Sequence, residues 1–354
     1  SGKAVFAIGA IDHPETGSSV VDGVDRESLR SQYQYTMDLN TSFTGDDNLY
    51  VRLRTGNGAE TGADAGIVFG SKTYGTYLSS DSSKYSDALA VDKIWYTFPV
   101  GDNNTFWVGP KIENYYMHAT SPSIYKPTLK QFALGGNGAA YGASTKAGAG
   151  WAYKADNGFA VSSNVVSSNT KLGTNGASTS WATQVGYTQP QYSASLMVNQ
   201  KFNGWEDGYY STTKGHYRLL DGSTTTQQTA NSTNYGLRAW WRPAETGTAT
   251  PAISAGYDWS NIDITNAALD ETDAWFVGLN WSDMIQADDT IGLAFGQPQT
   301  REDETVDPFA WEAYYSFKVN DSVTVTPSIF GGSDREGTAN EDMTGAVIET
   351  SFKF

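Results

Sequence analysis

Cysteine is absent from the sequence. That removes a disulfide framework, thiolate metal sites and cysteine nucleophiles, and it suits an oxidising compartment. Histidine is scarce, with His13, His118 and His216 far apart, so neither a zinc site nor a Ser–His–acid arrangement is expected. No phosphate-cradling Gly loop, nucleophile elbow or zinc motif is present either. Basic residues are few, 23 Lys and Arg against 39 Asp and Glu, and the net charge of -16 argues against affinity for nucleic acid phosphates. No apolar run approaches the ~18 residues of a spanning helix. Charged residues make up only 18% of the chain, below the roughly 25% of an ordinary globular domain. Aromatics, by contrast, are abundant. At 13%, with 21 Tyr, 15 Phe and 11 Trp, they exclude an intrinsically disordered chain. The opening Ser1-Gly2-Lys3-Ala4-Val5-Phe6 lacks signal-peptide character and is read as a mature or trimmed form.

The dominant pattern has a period of two. Leu29, Ser31, Tyr33, Tyr35, Met37 and Leu39 alternate with Arg30, Gln32, Gln34, Thr36 and Asp38, giving one greasy and one wet face. The same alternation returns at Leu49/Val51/Leu53, Ile94/Tyr96/Phe98, Trp181/Thr183/Val185/Tyr187 and Tyr192/Ala194/Leu196/Val198. It continues at Tyr235/Leu237/Ala239/Trp241, Ile253/Ala255/Tyr257/Trp259, Trp275/Val277/Leu279/Trp281, Phe309/Trp311/Ala313/Tyr315, Val323/Val325/Pro327/Ile329 and Ala346/Ile348/Thr350/Phe352. With weaker stretches near 3–10, 104–112, 143–154, 158–167 and 290–297, about sixteen strands of the length needed by a tilted membrane strand are predicted.

The connections sort into two kinds. Short ones at 44–48, 100–104, 155–158, 189–190, 242–249, 282–289 and 320–321 are rich in Asp, Asn, Gly and Pro. Long ones at about 11–27, 56–88, 113–141, 168–178, 201–231, 260–271, 298–306 and 331–343 alternate with them. Successive hairpins of an up-and-down sheet turn at opposite ends, so the tight turns share one rim and the long loops the other, as in outer-membrane barrels with periplasmic turns and extracellular loops. Closure of such a sheet removes every edge, which hydrocarbon demands. The predicted fold is therefore all-β, a single transmembrane antiparallel up-and-down barrel spanning residues 1–354. A soluble β-sandwich also alternates, but its buried face is filled with Val, Ile and Leu. Here aromatics such as Tyr33, Tyr96, Trp151, Trp181, Trp241, Trp275 and Trp311 crown the apolar face near strand ends, where rings settle at a membrane interface.

The segment Ile94-Trp95-Tyr96-Thr97-Phe98-Pro99-Val100-Gly101-Asp102 followed by Thr105-Phe106-Trp107-Val108-Gly109-Pro110 resembles a hairpin of the cyanobacterial outer-membrane porins. These form the carbohydrate-selective (OprB-like) family, also labelled iron-uptake porins. Gly148-Ala149-Gly150-Trp151-Ala152-Tyr153-Lys154 and Pro251-Ala252-Ile253-Ser254-Ala255-Gly256-Tyr257 are similar to the same family, and Phe352-Lys353-Phe354 to the C-terminal aromatic signal of bacterial barrels. The resemblance implies a homotrimeric diffusion channel for small hydrophilic solutes, inorganic ions first among them, in a cyanobacterial outer membrane. Family members usually carry an N-terminal S-layer-homology domain, and none precedes Ser1 in this sequence.

Strand parity places Arg30, Arg52, Arg54, Lys93 and Lys111 on the polar face of four consecutive strands, with Asp38 as their one acid of like parity. Neighbouring like charges repel and need a reason. Arg238, Asp258, Glu312 and Glu349 share lumenal parity elsewhere and are mixed in sign. The third long connection, 113–141, is too aromatic for a solvated loop, and the resemblance to trimeric porins implies that it folds into the lumen as a constriction. Lys126, Lys130 and His118 are its candidate lining residues; the alternative is that this loop makes trimer or surface contacts. Most of the acid excess falls in external loops and turns (Asp12, Glu15, Asp22, Asp25, Glu27, Asp270, Glu271, Asp273, Glu302, Asp303, Glu304, Asp307, Glu341 and Asp342), where it can bind divalent cations bridging lipopolysaccharide or enrich cations at the mouth over about a Debye length. Asp46-Asp47-Asn48 and Asp102-Asn103-Asn104 read as turns rather than calcium loops. The expected function is passive conduction with weak preference for small anions, with neither cofactor, metal nor enzymatic activity. The competing readings are a soluble secreted lectin-like sandwich binding glycans and an enzymatic barrel such as a protease or phospholipase.

Overall fold

The computed structural model describes residues 1–12, 20–21, 24–25, 29–57, 78–80, 87–136, 141–142, 145–168, 171–203, 231–263, 271–301, 305–334, 339 and 342–354. Its period-two segments form strands β1 (Gly2–Asp12), β4 (Arg30–Thr41), β5 (Asn48–Gly56), β6 (Ala90–Val100) and β7 (Asn104–Glu113). The next are β8 (Thr145–Lys154), β9 (Phe159–Ser167), β10 (Thr179–Gln189), β11 (Tyr192–Phe202) and β12 (Asn231–Trp241). The last six are β13 (Ala252–Asp263), β14 (Glu271–Ser282), β15 (Thr290–Arg301), β16 (Phe309–Asn320), β17 (Val323–Ser333) and β18 (Met343–Lys353). A small hairpin, β2 (Val20–Val21) and β3 (Val24–Asp25), lies in the first long connection.

Sixteen of these strands pair antiparallel with their sequence neighbours into one closed barrel, and β1 joins β18 to complete the circle. Gly2 and Phe354 exchange backbone hydrogen bonds of 2.7 and 3.1 Å at the seam. The sheet is therefore a cylinder rather than a sandwich, and closure leaves no unpaired edge.

Its two faces are chemically inverted relative to a soluble protein. On the outside, Leu196 and Leu237 are 42% and 45% exposed and Ile348 53%, whereas the inward Gln184, Asn199 and Asn234 are 0% exposed. An apolar band that wraps the whole molecule is far larger than the few hundred Å² a water-exposed monomer carries, and it matches a hydrocarbon surrounding. Aromatic rings gather toward both ends of the strands. Phe43, Tyr96, Phe98 and Phe106 form a run of ring contacts at the turn side, and Tyr235, Tyr257 and Trp259 another at the loop side.

The turns are built by their acids. Asp47 accepts from the backbone N–H of Phe43 at 2.9 Å and Thr44 at 2.8 Å, and from the hydroxyls of Ser42 at 2.6 Å and Tyr96 at 2.6 Å. Asp289 repeats the device with the N–H groups of Met284, Ile285 and Gln286 and the Tyr315 hydroxyl. The Ser42 and Tyr96 hydrogen bonds hold the Asp47 carboxyl well below the usual carboxylate range. Gly45 and Gly101, at φ of 102° and 62°, supply the left-handed backbone that such turns require.

Candidate functional site

The described residues of the connection between β7 and β8, 114–136 and 141–142, run inside the barrel, and their course can be read from the strands that grip them. Asn114 donates to Asn164 on β9 and to the Ser180 carbonyl on β10. Thr120 N–H donates to Gln184 on β10, whose amide donates back to the Thr120 carbonyl. Ile124 and Tyr125 N–H both reach Ser254 on β13. Farther round the wall, Glu312 on β16 accepts from the Tyr125 hydroxyl at 2.7 Å, Thr128 N–H at 3.1 Å and Leu129 N–H at 2.6 Å. Thr128 also bonds Ser328 on β17. On the return, Arg238 of β12 donates to the Leu134 carbonyl at 2.7 Å, lies over the Tyr141 ring and pairs with Asp258 of β13 at 2.8 Å.

Glycine permits the closest crossing. A Cβ on Gly256 would lie 1.6 Å from the Gly135 carbonyl oxygen, so loop and wall touch backbone to backbone there. The loop also closes the largest apolar cluster: Tyr125, Leu129 and Phe132 pack with Leu78 against Phe276, Tyr314 and Phe330 of the wall. One side of the lumen is thus filled by the inserted loop.

Solvent-accessible side chains lie on the other side, along β4 to β6. Arg52, Arg54 and Asp38 keep 19, 20 and 27% of their side-chain exposure although all three sit within the barrel. Arg52, Arg54 and Lys93 of the expected basic stripe lie there, each beside an acid. Arg52 pairs with Asp38 at 2.8 Å, Arg54 with Asp92 at 3.7 Å, and Lys93 with Glu113 at 2.8 Å and Asp92 at 3.8 Å. Three cations meet three carboxylates. Tyr116 at the root of the inserted loop accepts from Arg52 at 3.1 Å and lies under the Lys93 ammonium, so ladder and loop are joined.

Asp92 escapes a parity reading for a geometric reason, whereas Glu113 shares the parity of Lys93 and Lys111 and falls where the sequence pattern begins the third long connection. The pairing of β5 with β6 shifts register between Arg52 and Leu53, and that of β6 with β7 between Ile94 and Tyr96. Such a bulge places adjacent residues on one side, and Asp92 and Lys93 are both buried, at 3% and 4% exposure. The same irregularity corrects Lys111. Between Gly109 and Ile112 the register with β8 shifts, Ile112 turns into the inner cluster with Trp95 and Met117, and Lys111 is exposed with its ammonium on the Val91 carbonyl at 2.6 Å. It does not join the ladder.

His118 is also placed differently from expectation. Its ring is packed between loop and wall, with Nε2 against the Tyr141 carbonyl and Nδ1 against Asn164, each at 3.1 Å. Burial pushes its pKa down to about 4, so at neutral pH it is an uncharged packing residue and not a lining cation. Lys130 begins a short 3-10 turn, Lys130–Phe132, beside the apolar cluster, and Arg30 opens β4 on the inward parity of Gln32 and Thr36. Lys126 is exposed and faces the turn-side end of the lumen. Glu15, Asp22, Glu27, Asp270, Glu302, Asp303, Glu304 and Glu341 are outside the described residues or have no described side chain, as is Asp25 beyond its backbone.

Comparison with solved structures fits this architecture. OprB of Pseudomonas putida superposes with a TM-score of 0.67 at 11% identity, covering all of this chain and 93% of that one. The fold is that of the outer-membrane porins. A mutant of the Rh. blastica porin matches at a TM-score of 0.57 and 10% identity, covering 100% of this chain and 99% of the other. The trimer form of OmpT of Vibrio cholerae matches at 0.54 and 11%, covering 100% and 98%. In sequence, the chain is 23% identical over 393 aligned positions to the uncharacterized protein alr4550 of Nostoc sp., covering 100% of this chain and 64% of that protein, so it spans under two thirds of the relative's length. No model of a known protein family matches. The porin fold accounts for the inverted faces and for the side chains that face water inside the cylinder.

Proposed function

We propose that the protein is a passive channel of the outer membrane, cyanobacterial by its resemblance and its Nostoc relative, through which small hydrophilic solutes and inorganic ions diffuse. The carrying observation is a closed cylinder, apolar outside, whose polar interior is narrowed by an inserted loop against a water-facing ladder of charges. It needs neither cofactor nor catalytic group: a pore selects by its width and by the field at its narrowest part. We further propose a homotrimer of separate pores, by analogy with the trimer form of OmpT, with lipid on the apolar band and lipopolysaccharide at the loop rim.

The preference for small anions is weak in this reading, because Arg52, Arg54 and Lys93 are balanced by Asp38, Asp92 and Glu113. Purified protein in a planar bilayer tests the proposal. Stepwise conductance that grows with salt supports a channel, and a preparation that dissolves without detergent and inserts no conductance overturns it. Across a KCl gradient, a strongly cation-selective reversal potential would refute the anion preference. Changing Arg52 and Arg54 to Ala removes the arginine partner of Asp38 and leaves Asp92 paired with Lys93, and the potential is expected to move toward cations.

A further inference from the structure

Lys126 differs from the ladder cations in its surroundings. The segment on either side of it is stapled to the wall, by Ser254 before it and by Glu312 and Ser328 after it. Tyr125 and Thr128 are buried at 4% and 2% exposure. Lys126 itself is exposed and takes no hydrogen bond or ion pair among the described residues. It is a cation held in place by its backbone and left unneutralised.

It borders a cavity of about 240 Å³ between the inserted loop, the inner ends of β13, β14 and β15, and the 242–251 turn. Arg242 lines the same cavity. Its guanidinium is oriented by the Pro190 carbonyl at 2.7 Å and the Trp240 ring at 5.8 Å, which leaves further N–H donors for a ligand. Thr248, Ser282 and Thr290 add hydroxyls, and Glu245 is the one acid among the lining residues. Two cations, one carboxylate and several hydroxyl donors form a concave, net-positive site at the turn-side mouth, away from the balanced ladder.

We infer that this cavity is a weak binding site for small oxyanions, inorganic phosphate being the probe of choice, and that Lys126 and Arg242 carry the anion preference of the pore. The inference rests on the channel reading above and places its selectivity at a second level of the lumen. An anion pausing between an ammonium and a guanidinium slows the passage of the next one, so the site predicts both selectivity and inhibition.

The test uses the intact protein in planar bilayers, first in a KCl gradient and then with inorganic phosphate added to KCl. For the wild type, phosphate is expected to lower the chloride current in a saturable manner. Lys126→Gln and Arg242→Gln should each reduce the anion-to-cation permeability ratio, by about fivefold for a unit charge roughly 4 Å from a passing ion in water, and should abolish the phosphate effect. Glu245→Gln should move the ratio the other way, which guards against a loss caused merely by damage. Both lysine and glutamate sites are exposed, and a retained heat-modifiable band on gels reports folding. If wild-type protein conducts but phosphate leaves its current unchanged, or inhibits wild type and Lys126→Gln equally, the site is overturned while the channel reading stands. If wild-type protein produces no conductance at all, it is the channel reading that fails.

Discussion

Single side chains decide whether the inserted loop stays where it is. Glu312 receives three donors from the loop, one phenolic and two of the main chain. Glu312→Ala would orphan them in a buried setting, at a cost of about 1–3 kcal/mol for each group left unsatisfied. The expected result is a lower melting temperature together with noisier open-channel current; a quiet current and an unchanged melting temperature would count against the anchor. His118 gives a pH test. Its pKa lies near 4 in the folded chain against an ordinary 6.5, so the unfolded chain takes up a proton that the folded one refuses. The stability linked to it is fully present above pH 6.5 and declines as pH falls toward 4, by about 1.4 kcal/mol per pH unit at the steepest. Stability measured from pH 7 to 4 should therefore fall less steeply in His118→Gln than in wild type. Arg238 also disfavours the protonated ring, in the same direction as burial.

At the level of strands and loops, period-two alternation was enough to find every barrel strand, because lipid outside and water inside impose opposite demands on successive residues. The connections followed, since tight turns need Asp, Asn and Gly in backbone states that few other residues adopt. What alternation cannot carry is a change of parity. Asp92 entered the ladder, and Lys111 left it, where bulges reset the phase; the adjacent acid and base of Asp92-Lys93 were the one local hint, and Glu113 has the parity of Lys93 but sits at a strand end that reads as loop. Nor could spacing show that Glu312 or Arg238 holds the loop, because their partners lie over a hundred residues away in the chain. Gly256 illustrates the same point and offers a test. In Gly256→Val the new side chain collides with the Gly135 carbonyl and should force the loop off the wall, destabilising the barrel by about 1–3 kcal/mol. Larger single-channel conductance and faster protease cleavage within 130–144 are expected; wild-type values for both would show that the crossing is not a constraint.

For the molecule as a whole, the arrangement of surfaces makes hydrocarbon the outer solvent, and detergent-free buffer should precipitate the protein. The interior consists of two unlike halves, one packed solid by the inserted loop and one lined by paired charges in contact with water. Raising the salt concentration should therefore change ion preference only slightly at the ladder, where opposite charges already cancel, and more strongly at the turn-side cavity, where Lys126 is screened by mobile ions over about a Debye length, ~8 Å at physiological salt. The seam between β1 and β18 has one more implication. Because the first and last strands are paired along nearly their whole length, from Lys3 with Lys353 to Asp12 with Thr344, the cylinder has no preferred starting point. A chain reopened within a loop, with its old ends tethered by a short peptide, should wind into the same ring of strands and carry the same current.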